Sequence, residues 1–122
     1  MSNAFIKGNL AACLRSLEDM LQANYDYMRI MNLLVGKIRT TFYMKRLQEK
    51  GLSQNEIATR LHANPKAVKM TLDNCIGVNS NKLLLYINEL ADLDQNIKLG
   101  KVNPKDGFEQ FIIQNGDANG RH

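Results

Sequence analysis

Apolar residues recur at spacings of three and four along nearly the whole chain, and no stretch alternates as a strand would. Leu10, Leu14, Leu17 and Leu21 line one face of a first helix, with Asn9 placed to cap it. A polar break at 24–26 separates it from a long helix spanning roughly 26–50. There Tyr27, Met31, Leu34, Ile38 and Thr41 form a stripe that Ile30, Val35, Phe42 and Met44 widen. A stripe that wide predicts burial against more than one neighbour. Gly51 stands where a left-handed helix end is wanted.

Ser53 and Glu56 have the spacing of a capping box, and Leu52 can staple onto Ile57. Ile57, Ala58 and Leu61 give the short helix that follows its inner face. Asn64 and Pro65 supply a cap and a first-turn proline for the next helix, whose inward residues are Val68 and Leu72, flanked by Met70 or Cys75. After a loop at 77–80, Asn79 or Ser80 caps another long helix ending near Leu99 and Gly100. Leu83, Leu84, Ile87, Leu90, Ala91 and Ile97 are its predicted apolar face, with Asp94 at the edge. Asn103 and Pro104 repeat the cap-plus-proline start, and Phe108, Phe111 and Ile112 anchor a last helix that Gly107 interrupts. The pattern predicts an all-α compact bundle of about six helices containing a helix-turn-helix-like pair. By position, residues 1–4 read as a tag or disordered, because Ser2, Asn3 and Ala4 resemble a cloning remnant. Residues 5–115 form the helical domain and 116–122 a flexible, glycine-rich tail.

A length of 122 residues suits one domain with one modest core. No apolar run approaches the ~20 residues that a membrane span needs, and no signal peptide is visible, so the expected location is cytoplasmic. Charge changes the picture more. Between positions 37 and 69 stand Lys37, Arg39, Lys45, Arg46, Lys50, Arg60, Lys66 and Lys69, opposed only by Glu49 and Glu56. That segment carries +6 within a chain of net +4, leaving −2 for the remainder. Lys37, Arg39, Lys45, Arg46, Lys50, Lys66 and Lys69 are therefore the candidate basic contact face, for phosphate or an acidic protein surface. A solvated helix surface would have the same composition.

Catalysis needs converging groups, and the sequence offers few. Cys13 and Cys75 are lone residues read as small buried hydrophobes, and His62 and His122 are isolated. No metal, cofactor or catalytic residue is assigned. Gly36-Lys37 imitates the end of a P-loop, but Met31 replaces its first glycine and Ile38 its Ser or Thr. The pair at 51–74 has helix-turn-helix spacing, with Ala58 and Val68 at the packing positions. His62 stands in place of the usual turn glycine, where a left-handed conformation costs about 1 kcal/mol. On the reading face Asn64 is committed to capping and Pro65 has no amide. Lys66 and Lys69 remain beside Met70, and lysines hold backbone phosphate without specifying bases.

The order of these signals resembles a known family. GNLAACLRSLEDMLQ resembles its short helix after a G-[ND]-L start, Leu33 to Arg39 its "LLARQFR"-like stretch, and Lys45 to Gly51 its K-x-L-x-x-x-G helix end. GLSQNEIATRLHANPKAVKMTL resembles its GLSxxEIAxxLxxxPxxVKxxL segment. ELADLDQNIKLGKVNPKDGFEQFII resembles its LxxxDxxxKxGxxxPxxxxExxI ending, with Asp94, Lys98 and Gly100 in place. Together, from Phe5 to Asn115, they resemble the C-terminal collar domain of the delta subunit of bacterial DNA polymerase III, a clamp-loader component. The resemblance implies a clamp-loader collar-domain-like fold and a non-catalytic oligomerisation role supporting sliding-clamp loading in DNA replication. It implies other clamp-loader subunits as partners in a collar ring. The sliding clamp would be reached only through N-terminal AAA+-type domains, and DNA at most weakly. The parent subunit would belong to the polymerase holoenzyme, a nucleotidyltransferase. The alternative is a helix-turn-helix DNA-binding regulator using 53–74. A salt-dependent titration with specific and random duplexes separates the two readings.

Overall fold

The computed structural model describes residues 1–116, all of whose regular structure is helical. In chain order the helices are α1 Ser2–Lys7, α2 Leu10–Gln22, α3 Tyr27–Glu49, α4 Gln54–Leu61, α5 Pro65–Asn74, α6 Ser80–Lys98 and α7 Pro104–Asn115. The sequence pattern led to all of these except α1. Residues 2–4, expected to be a tag or disordered, are helical, because Phe5 and Ile6 bury in the core and hold the turn before them in place. At the other end, Gly116 is buried and donates its N–H to the Ile112 carbonyl, so the expected flexible tail does not begin there. Residues 117–122 lie outside the described residues.

Side chains chosen for capping begin the helices. Asn9 accepts from the Ala12 amide at 3.1 Å, Asp26 from Arg29 at 2.8 Å, Asn79 from Lys82 at 2.9 Å and Asn103 from Asp106 at 2.8 Å. Each satisfies one of the amides that a helix start leaves without an intrahelical partner. The capping box of α4 is complete: Ser53 Oγ accepts from the Glu56 amide, and Glu56 Oε1 accepts from the Ser53 amide. Ser53→Ala is expected to cost about 1 kcal/mol, read as a lower melting temperature by circular dichroism. Gly51 adopts φ 95°, a conformation that side chains disfavour. It lets the Leu52 amide turn back to the Leu47 carbonyl and close α3.

Helix α3 is the spine and packs against each of the other six helices. That explains the width of its apolar stripe: Ile30, Met31, Leu34, Ile38, Thr41 and Met44 are all buried. The Thr41 hydroxyl is satisfied at 2.8 Å by the Lys37 carbonyl one turn back. Helix α6 packs along α3 most extensively, and α7 packs against both of them. At their junction lies an aromatic cluster in which Phe5 meets Tyr86 edge-on (4.9 Å between centroids) and stacks on Phe111 (5.3 Å). Cys13 and Cys75 are buried free thiols, as small hydrophobes would be.

The inward face of α6 differs from the expected one. Leu83, Tyr86 and Leu90 are buried, whereas Leu84 and Ala91 are exposed. Residues 83, 86, 90, 93 and 97 share the side facing α3 and α7, and Leu84 and Ala91 stand about 100° away from it. Asp94 pairs with Lys98 at 2.8 Å on the stripe edge. Gly107 does not break α7. It is buried, and a Cβ there would lie 2.6 Å from Leu93 Cδ1 and 3.2 Å from Val102 Cγ2, so its bareness admits α6 and the 102 loop to the α7 backbone.

Candidate functional site

The basic residues singled out in sequence are divided by the helices that carry them. On α3 and the residue that ends it, Arg39, Arg46 and Lys50 fall within about 40° of one another on the helical wheel. Lys37 and Lys45 are rotated away from that group and half-buried. Lys37 spans to α5, donating to Thr71 Oγ1 at 3.2 Å. Arg46 lies over the Phe42 ring at 5.1 Å. On α5, Lys69 is paired with Asp73 at 2.9 Å, and Lys66 is exposed. The seven residues therefore form one group of exposed Arg39 and Lys50 with half-buried Arg46 between them, an α5 group, and the half-buried Lys37 and Lys45 on other sides of α3.

The α4–α5 pair has the geometry that its sequence suggested. His62 takes φ 55° and ψ 43°, the left-handed position otherwise given to glycine. Asn64 Oδ1 accepts from the Lys66 amide at 2.8 Å and is spent on capping. Gln54 Nε2 donates to the Pro65 carbonyl at 2.9 Å and ties the start of α4 to the start of α5. Ile57, Ala58, Val68 and Leu72 are buried. What faces solvent at the front of α5 is Lys66, a paired Lys69 and Met70 at 65 % exposure, which is no base-reading set.

Several groups with structural consequences had no local sequence signal. The Glu49 carboxylate accepts from both the Ser80 amide (2.9 Å) and the Ser80 hydroxyl (2.5 Å), so the end of α3 caps the start of α6. Those two hydrogen bonds hold the Glu49 carboxyl below its ordinary value of 4.5. Such a group stabilises the fold above its ordinary value, and the contribution disappears as pH falls through the folded-state value. Glu49→Gln should therefore melt at a lower temperature than the parent at neutral pH. The two melting curves should converge in acid, which a pH series of thermal melts checks. Tyr27 donates to Glu109 Oε2 at 3.2 Å, linking α3 to α7; burial, then that hydrogen bond, raises its phenol. Burial pushes the Cys13 thiol up to about 11, which suits packing and not nucleophilic chemistry.

Among the described residues no group of three or more His, Cys, Asp or Glu side chains is placed to hold a metal ion, and no helix is long and apolar enough to cross a membrane. Exposed apolar residues are the more informative surface. Leu84 is 37 % and Leu85 47 % exposed on the side of α6 away from α3, and Ala91 continues the Leu84 row two turns on.

Fold and surface define an all-helical packing domain built around one central helix. The chain belongs to the family described as DNA polymerase III delta subunit, C-terminal domain, whose model matches residues 1–115. It is 29 % identical over 112 residues to the DNA polymerase III subunit delta of Bacillus subtilis (strain 168), covering 92 % of this chain and 32 % of that protein. Its fold is similar to that of the Bacillus subtilis DNA clamp loader delta protein (YqeN), with a TM-score of 0.82 and 28 % identity over 94 % of this chain and 34 % of that one. The chain thus spans about a third of the length of the relatives it matches.

Proposed function

We propose that this chain is a non-catalytic oligomerisation domain, the collar portion of a clamp-loader delta subunit. In that role it supports sliding-clamp loading by holding its subunit among the sister subunits. The observation that carries the reading is the apolar surface that α6 leaves in solvent, Leu84 and Ala91 in one row and Leu85 in the row beside it, away from the buried Leu83, Tyr86 and Leu90. Apolar residues grouped on one exposed helix face are the usual mark of a protein interface. Its partners are then other loader subunits, in the cytoplasm; similarity to a polymerase III delta subunit and a clamp loader delta protein supports this reading. Contact with the sliding clamp would fall to the two thirds of the delta subunit that this chain does not span. Membership of a nucleotidyltransferase holoenzyme would likewise belong to the whole subunit. The Arg39, Arg46 and Lys50 group offers DNA or an acidic neighbour a weak, salt-sensitive contact.

The test is to mix the chain with the other loader subunits of the same organism and follow it by size-exclusion chromatography. It should elute in the complex. Elution as a free species with every combination of subunits would refute the proposal.

A further inference from the structure

Leu85, Glu89, Asp92 and Asn96 fall at i, i+4, i+7 and i+11 on α6, so they form one row beside the Leu84 and Ala91 row. Glu89, Asp92 and Asn96 make one wall of an open groove of about 360 Å³ between α6 and α7. Gln110 and Gln114 of α7 stand on the other wall, with Phe111 lining the groove between them. No cationic side chain lines it, although the chain carries net charge +4. One oxygen of Glu89, Oε2, is buried and has no hydrogen-bond partner. A covered carboxylate oxygen without a donor is costly, and native structures leave few such atoms without a reason. Asp92 adds a second negative charge one turn away on the same row, where like charges repel.

What the groove lacks is a donor-rich cation. We propose that it receives an arginine side chain presented by a neighbouring subunit; this rests on the assembly role proposed above and adds to it the site and the chemistry of the contact. A guanidinium suits the groove better than an ammonium. Its several N–H donors lie in one plane and can serve the Glu89 carboxylate and the side-chain oxygens of Asn96, Gln110 or Gln114 together. The apolar Leu85, 47 % exposed at one end of the row, gives the segment carrying that arginine a hydrophobic contact next to the charge.

The groove and the assembly role fail in different ways. The affinity of the parent chain for its sister subunits is measured by calorimetric titration, then that of Glu89→Gln and Asp92→Asn, with a thermal melt of each. Glu89→Gln is expected to weaken association by roughly tenfold, to flatten its salt dependence, and to leave the melting temperature unchanged or higher, since it removes a carboxylate of which one oxygen is covered without a hydrogen-bond partner. Asp92→Asn should weaken association less. Unchanged affinity in both variants, while the parent binds, overturns the groove and leaves the assembly role standing. A fall in melting temperature that tracks the loss of affinity also overturns it, because Glu89 would then be supporting the fold. Self-association of the chain that Glu89→Gln abolishes would give the groove to a second copy and overturn it too. If the parent binds no sister subunit, the assembly role itself fails.

Discussion

Phe5→Ala is expected to destabilise the fold by about 3–5 kcal/mol, the largest effect of any single truncation near the N-terminus. Phe5 is fully buried, stacks on Phe111, meets Tyr86 edge-on, and lies where α1 packs on α2, α3 and α5. Its removal takes away the area that the ring keeps from water and leaves a hole between helices already fixed by their own caps. It also releases α1, which has only six residues and is far too short to persist without its buried side chains. Because whole domains are stable by only about 5–15 kcal/mol, the loss should appear as a drop in melting temperature on the order of 10 °C or more. If the first residues were an appendage outside the domain, the melting temperature would not move, and denaturant titration of the two proteins would superimpose.

Placing Glu at both Leu84 and Ala91 is expected to leave the fold intact while weakening association with sister subunits on the order of a hundredfold. Both positions are mid-helix and Glu is a good helix former, but Leu84 is only 37 % exposed, so the variant should lose about 1–2 kcal/mol and remain folded. In a complex that covers this row, each carboxylate must be dried without a partner, and the apolar contact is lost as well. A titration of the double variant against the sister subunits, paired with a circular-dichroism melt, separates the two quantities. Undiminished association would show that this row stays in solvent and that the interface lies elsewhere.

The parts of this fold that were legible in sequence are those set by neighbours within one helical turn. Asn9, Ser53 with Glu56, Asn64 with Pro65, and Asn103 with Pro104 each announce a helix start, and each acts as one. The α3 stripe was legible for the same reason. The parts that were hidden depend on distant chain segments. Ser2, Asn3 and Ala4 carry no amphipathic pattern, and only the packing of Phe5 and Ile6 makes α1 a helix. Leu84 and Ala91 were assigned to the core because hydrophobicity alone does not separate a residue facing its own core from one left at the surface. Tyr86 was passed over because its ring is apolar and its hydroxyl is not. The contact from Glu49 to Ser80 crosses 31 positions, beyond any periodicity. The bareness of Gly107 matters only once Leu93 and Val102 are beside it. For the candidate surfaces, the basic residues were found as a run, but the helical wheel and the Lys37 and Lys69 pairings divide that run. The α6–α7 groove had no local signal at all, since its walls come from separate helices.

The central claim is that this chain occupies the seat of a delta-subunit collar within a clamp loader. Competition measures that most directly. A loader is assembled from full-length subunits of the same organism with a labelled delta subunit, in the presence of increasing amounts of this chain, and the label retained in the purified complex is counted. The account predicts that the chain enters the complex and displaces labelled delta in proportion to its excess. Full retention of labelled delta at every excess, with none of this chain in the complex, would contradict it.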